Sequence, residues 1–343
     1  LKYSIYSVSG CVGGNGKPFC ISFKKGRVNK LLINFLGGGL SWGEESAKTP
    51  ISIKSILKKK QGFYIPHVSP IFLKMTHVGI LSAKDKRNLF RDWHILNIPY
   101  STADFHIGDS DFHYKNDKGE DLVLHHHGMK NVTAALEMLK ELFDQSPDFL
   151  MLSGSSAGGF GCLAHAPAIA ALYPDCENIA IYAEGCNLRS SIWKETAENI
   201  WKVKGDLAAY VGSSDDLIFD LFRYAQDNMP PQTQFLHAVS IWDEALVRFM
   251  HKMNHGAISA SPQALKEFNE SLIDVVKKLK GEISNYSYFL TDFGKKSDGT
   301  TPHVLLGSPK LLYNKIQDDT PLASWLSQAF EKNLTNIGEK FIK

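Results

Sequence analysis

The sequence predicts an α/β fold in which a mostly parallel central sheet is covered by helices on both faces. Three observations predict it. Strand-length apolar runs recur along the chain with helical stripes between them. The run Gly154-Ser155-Ser156-Ala157-Gly158-Gly159 sits between one such strand and one such helix. The 343 residues, 43% hydrophobic and 22% charged, have ordinary globular composition and supply a sizeable core.

The strand runs are residues 31–36, 94–100, 149–154, 178–183, 234–242 and 286–293. One helical stripe, Val132, Ala135, Leu136, Leu139 and Phe143, follows Asn131. Another, Leu265, Phe268, Leu272, Val275 and Leu279, stands behind the cap signal Ser261-Pro262. A last stripe, Leu322, Trp325, Leu326 and Ala329, follows Thr320-Pro321. Neither an internal repeat nor a shift in composition marks a boundary. The expectation is one domain over residues 1–343, with 44–93 as a lid or pocket-forming insertion between two strands. Trp42, Phe63, Tyr64 and Phe72 either line that pocket or serve as packing.

Bulk properties narrow the function classes. A net charge of +2 is too small to argue for nucleic acid or an anionic membrane surface, and Lys58-Lys59-Lys60 reads as a solvated loop. No uninterrupted apolar run reaches the roughly 18 residues of a spanning helix. The five cysteines, Cys11, Cys20, Cys162, Cys176 and Cys186, are odd in number and lack CxxC or zinc-ligand spacing. Cys11 and Cys20 suit a small disulfide loop in an oxidising compartment, and free thiols explain the count at least as well. The expected compartment is the cytoplasm, with secretion as the alternative if a leader has been removed.

In a parallel sheet, ligands gather outside the carboxyl ends of the strands. The residues just after each run are therefore the ones to inspect. After 149–154, Gly-x-Ser-x-Gly places Ser156 on a sharp strand-to-helix turn with its hydroxyl exposed. The same turn aims the Ala157 amide, at a helix N-terminus, toward any oxyanion formed at Ser156. After 31–36 comes Gly37-Gly38-Gly39-Leu40-Ser41-Trp42, where glycines let backbone amides approach a ligand. A phosphate loop would need a Gly-Lys-Ser/Thr ending, which is missing, so half of an oxyanion hole is the better reading beside a plain tight turn.

A serine nucleophile needs a base and a carboxylate to orient it, and in α/β-hydrolases the order along the chain is Ser, then Asp or Glu, then His. His165 and His237 fall inside a helix and a strand run, and His251 and His255 follow a helix. His303 ends a Gly, Ser, Asp and Thr rich loop directly after the last strand, where a base belongs. Asp243 follows the 234–242 run and is the preferred acid over Asp215, Asp216, Asp292 and Asp298. Its competing reading is a helix N-cap. His125-His126-His127 suggests a metal only superficially, because neighbours on an extended segment alternate faces and no matching carboxylate cluster is evident. The segment Tyr100 to Asp104 follows a strand and is expected to border the cleft, with an Asp-mediated turn as the plain alternative.

Together these segments resemble the pectin acetylesterase and Notum family of serine carboxylesterases. The resemblance rests on Asn34-Phe35-Leu36-Gly37-Gly38-Gly39 with Trp42 nearby, Ile98-Pro99-Tyr100-Ser101-Thr102-Ala103-Asp104, the Gly154 to Gly159 block, Trp242-Asp243-Glu244-Ala245 and the region of His303. It spans about Gly10 to Tyr313. It implies an α/β-hydrolase fold, no metal or organic cofactor, Ser156 as nucleophile and Asp243 as the triad acid. It also implies oxyanion donors from Gly38, Gly39, Leu40 and Ala157; from their places along the chain, Trp42, Tyr100 and Asp104 are expected at the substrate. Ser101 and the cysteine-free Thr301-Pro302-His303 depart from the disulfide-rich plant and animal members and look like the cysteine-poor bacterial branch. Leu40 stands where animal members carry tryptophan, so no acyl-chain preference carries over.

The expected activity is ester hydrolysis through Ser156, His303 and Asp243 on a small-molecule or carbohydrate ester, acetylated sugars leading by resemblance. A serine peptidase or amidase with the same triad, and a non-catalytic ligand-binding member of the fold, are the competing readings.

Overall fold

Each strand run becomes a strand of one sheet. The computed structural model describes residues 1–52 and 62–343, so Lys58-Lys59-Lys60 and part of the 44–93 insertion lie outside the described residues. The sheet has eight strands in the order β1-β2-β4-β3-β7-β8-β9-β10. Its strands are β1 (Tyr3–Val12), β2 (Pro18–Lys24), β3 (Lys30–Phe35), β4 (His94–Ile98), β7 (Phe149–Ser155), β8 (Ile179–Glu184), β9 (Gln234–Ser240) and β10 (Tyr286–Thr291). β2 runs antiparallel to both β1 and β4, and every other neighbouring pair is parallel. β5 (Ser110–Lys115) and β6 (Asp121–His126) form a separate antiparallel hairpin.

The continuous apolar character of the central strands follows from burial on both faces. Alternate residues of one strand enter different cores: Leu31, Ile33 and Phe35 pack on one side of the sheet and Leu32 on the other. The larger core takes in α1 (Gly128–Leu142), α2 (Ala157–Ala170), α3 (Leu217–Asn228), α4 (Glu244–His255) and α5 (Pro262–Glu282). The smaller holds Phe90, Trp93, Met151 and Phe289 together with Leu322, Trp325 and Leu326 of α6 (Leu322–Ser327). α2 is apolar on every side and almost wholly buried, as a helix wedged between sheet and neighbouring helices must be. The cap signal at Ser261 holds: its Oγ accepts from the Ala264 amide at 3.2 Å.

This is the α/β-hydrolase fold expected from the sequence. The parallel strands share one direction, so the segments after β3, β7, β8, β9 and β10 leave from the same edge of the sheet. Among the described residues, all five cysteines are buried free thiols, with Cys11 in the larger core and Cys20 in a separate cluster with Val68 and Leu73. No helix among them is long and apolar enough to cross a membrane.

Candidate active site

At the end of β7 the backbone turns through Ser156 with φ 57° and ψ −127°, a conformation costly for any residue with a side chain. The turn is held open by its surroundings. The Ser156 amide donates to the Glu184 carbonyl at 2.8 Å, and a side chain at Gly158 would put its Cβ 2.0 Å from the Phe35 carbonyl oxygen. The strained geometry places Ser156 at the wall of a cavity of about 460 Å³ that His303 also lines. Its hydroxyl makes no hydrogen bond among the described residues, and nucleophile–base contacts in ligand-free sites often tighten only when substrate arrives.

His303 is set beside Asp243 by a backbone splice between two strand-end loops. Thr301 donates to the Trp242 carbonyl at 2.8 Å and its own carbonyl accepts from the Glu244 amide at 3.0 Å. The His303 Nδ1 then lies 2.7 Å from Asp243 Oδ2. The other carboxylate oxygen, Oδ1, accepts from the Ala245 and Leu246 amides at 3.0 and 2.9 Å at the head of α4. Asp243 is therefore at once an N-cap and the partner of the imidazole. Burial on its own lowers the pKa of His303, but the charge and hydrogen bond of Asp243, with Glu184 and Glu244 behind them, leave it raised above the usual 6.5. With Nδ1 engaged, Nε2 is the nitrogen left for proton transfer. A base oriented in this way can take a proton from a nearby hydroxyl and return it.

The loop after β3 faces the same cavity, through Gly37, Gly38, Gly39 and Leu40. Gly39 has φ 83°, and a Cβ there would fall 1.8 Å from the Phe63 carbonyl oxygen. Leu40 corrects an expectation: its amide donates to that same Phe63 oxygen at 2.8 Å, so it has no proton left for an oxyanion. The amides of Gly38, Gly39 and Ala157 have no acceptor among the described residues.

Three expected substrate contacts are also corrected. Tyr100 and Asp104 are fully buried and do not line the cavity. The Tyr100 hydroxyl accepts from the Phe105 amide at 2.9 Å, and its ring supports Gly38 from behind. Asp104 is a structural knot, accepting from Thr102 Oγ1 at 2.6 Å, from the His106 amide at 3.1 Å and from the Gly128 amide at the start of α1 at 2.7 Å. Burial pushes its carboxyl up to about 6 against these bonds. Trp42 packs edge-on against Phe63 and Phe249 and does not itself reach the cavity. Of the four aromatic candidates Phe63 lines the wall, Tyr64 is buried with its hydroxyl on the Ala47 carbonyl, and Phe72 is exposed.

Sequence reasoning missed Glu184, at the carboxyl end of β8. Its buried carboxylate accepts from Ser155 Oγ and from the Tyr182 hydroxyl, each at 2.7 Å, and from the Leu305 and Leu306 amides at 3.1–3.3 Å. Burial raises its pKa, and these hydrogen bonds and His303 act in the opposite sense. One side chain thus ties the turn carrying Ser156 to the loop carrying His303. The rule that selected Asp243, a polar residue at a strand's carboxyl end, would also have selected it. The histidine triplet needs correcting too: alternation removes His126 but leaves His125 and His127 on one face, and the hairpin supplies Asp111 as the carboxylate.

A half-buried serine on a strand-to-helix elbow, lining one cavity with a histidine that a buried aspartate holds, is the arrangement found in hydrolases of the α/β-hydrolase type. A sequence profile of the family described as Pectinacetylesterase matches residues 9–187, just over half of the chain. The chain belongs to the pectinacetylesterase family and is, at that level, an ester hydrolase. The matched region contains the glycine loop and Ser156 and ends before Asp243 and His303. Two solved structures of the Wnt deacylase Notum from Drosophila share the fold. Crystal form I aligns at 15% identity with TM-score 0.64, covering 97% of this chain and 95% of that one. Crystal form II aligns at 16% identity with TM-score 0.62, covering 98% and 95%. No curated protein matches the sequence.

Proposed function

We propose that the protein is a serine carboxylesterase in which Ser156, His303 and Asp243 act as a triad. The observation that carries this is the 2.7 Å contact between His303 and a buried Asp243, with His303 and Ser156 both on the wall of one cavity. Ser156 Oγ attacks the acyl carbon while His303 Nε2 takes its proton, and Asp243 stabilises the imidazolium. The amides of Gly38, Gly39 and Ala157 receive the oxyanion. The proton passes to the departing alcohol, and water then repeats the sequence to free the acid.

Acetyl esters, carbohydrate acetates first, are the substrates that family membership favours. The cavity favours a longer acyl group. Its walls carry Phe63, Val78, Leu81, Phe160, Leu246 and Phe249, and its volume far exceeds an acetyl group. Phe63, Val78 and Leu81 come from the 44–93 segment, which acts in this reading as the pocket-forming insertion. Ile71, Phe72 and Met75, on the short helix Pro70–Met75 just before the cavity-lining Thr76 and Val78, are exposed and apolar, a rim suited to an apolar substrate. The five buried free thiols support a reducing compartment.

A p-nitrophenyl ester series from acetyl to decanoyl tests both parts. Each added methylene that finds room should raise kcat/KM by up to about fourfold, the equivalent of about 0.8 kcal/mol, until the wall is reached. A series that peaks at acetyl assigns the acetyl substrate instead. Ser156→Ala should abolish turnover of every ester while leaving the circular dichroism spectrum unchanged; retained turnover would remove the triad.

A further inference from the structure

The hairpin β5–β6 carries a group of side chains that do not line the active-site cavity. Asp111 and His125 are directly opposed across its two strands, and His127 lies two residues beyond His125 on the same face. His125 Nδ1 is 2.6 Å and His127 Nε2 2.9 Å from a single carboxylate oxygen, Asp111 Oδ1. The three candidate ligand atoms all lie within 4.8 Å of one another. His126, between them, turns inward and contacts the Thr102 carbonyl through Nδ1 at 2.8 Å. We propose that Asp111, His125 and His127 form a binding site for a zinc-like divalent transition-metal ion.

The two contacts to Asp111 need little adjustment to take the ion. Two ligands about 2.0–2.1 Å from a tetrahedral centre stand about 3.3 Å apart. Opening the Asp111 contacts to that spacing is a movement of less than an ångström. Asp111 is half-exposed and both rings are partly exposed, so an ion can enter and water can complete its coordination. Two imidazoles with one carboxylate select zinc, nickel, cobalt or copper over magnesium and calcium, which prefer oxygen ligands. His127 occupies the N-cap position of α1, so a bound ion would fasten the hairpin to the start of that helix. The site's role is to brace this face of the molecule, and the ester chemistry does not depend on it.

The test uses the full chain, stripped of metal and titrated with zinc chloride by calorimetry, with thermal unfolding measured alongside. One ion per chain should bind and raise Tm, and magnesium should do neither. Asp111→Asn and His125→Ala should each weaken zinc binding by at least about tenfold. Asp111→Asn is an isosteric change at the surface, so a loss there is not a folding defect. His255→Ala removes the separate His255–Glu267 contact of 3.0 Å and should leave zinc binding unchanged. Absence of saturable one-to-one binding, zinc affinity unchanged in both hairpin variants, or affinity lost only with His255→Ala would each overturn the proposal.

Discussion

Asp243 divides its carboxylate between two tasks, one oxygen closing the head of α4 and the other holding His303. This arrangement fixes the sign of a pH effect. The net influence of the neighbouring carboxylates holds the His303 pKa above 6.5, and a base must be neutral to accept a proton. Activity should therefore rise with pH along an acid limb whose midpoint lies above 6.5. In Asp243→Asn the charge is gone while burial remains, so the midpoint should move down. The same change should cost about 10⁴-fold in kcat, through loss of the correct tautomer. A pH–rate profile of both proteins checks the direction. Glu184→Ala leaves Ser155 Oγ, the Tyr182 hydroxyl and two amides without their acceptor in a buried place. Unmet buried groups cost about 1–3 kcal/mol each, so denaturant unfolding should show a loss of about 3 kcal/mol or more, and kcat should fall more than KM changes. Glu184→Gln, which retains one acceptor oxygen, should recover part of both. At this scale, Ser156, Asp243 and His303 were legible because each follows an apolar strand, which is where a parallel sheet puts its chemistry. Leu40 was not, because its amide is engaged by Phe63, a residue brought there by the insertion.

The glycine loop after β3 works as an element through its backbone alone. Gly39 supplies the left-handed conformation, and the Phe63 carbonyl fills the space where a side chain would be. Gly39→Ala should therefore destabilise the protein by about 1–3 kcal/mol and, by displacing the proposed oxyanion donors, lower kcat on the order of 100-fold. Thermal unfolding and ester turnover on one preparation separate the two effects. Six strands of the sheet could be read from the sequence because burial on both faces demands continuous apolar runs. β2 was missed because the buried polar Ser22 and Lys24 break its apolar run; β1 and the hairpin β5–β6 were invisible to that rule. Their burial alternates along the strand, so polar residues interrupt any apolar run. The same limitation hid Asp111 from the histidines it faces, since cross-strand register is not written in either strand alone.

At the scale of the whole molecule, the order of strands is what makes the site. β3, β7, β8, β9 and β10 are dispersed over most of the chain, yet their parallel alignment delivers the glycine loop, Ser156, Glu184, Asp243 and the His303 loop to one edge. Sequence periodicity gives the type of each element and the covering of the sheet. It does not give which strand lies beside which, because pairings such as β2 with β4 join residues more than seventy positions apart. The central claim is that this assembly makes Ser156 a nucleophile, and reaction of the native protein with a fluorophosphonate followed by peptide mapping tests it most directly. A single adduct on Ser156, formed by the folded chain and lost in His303→Ala, is the predicted result. A folded protein that remains unlabelled, or that carries its adduct on another residue, would contradict it.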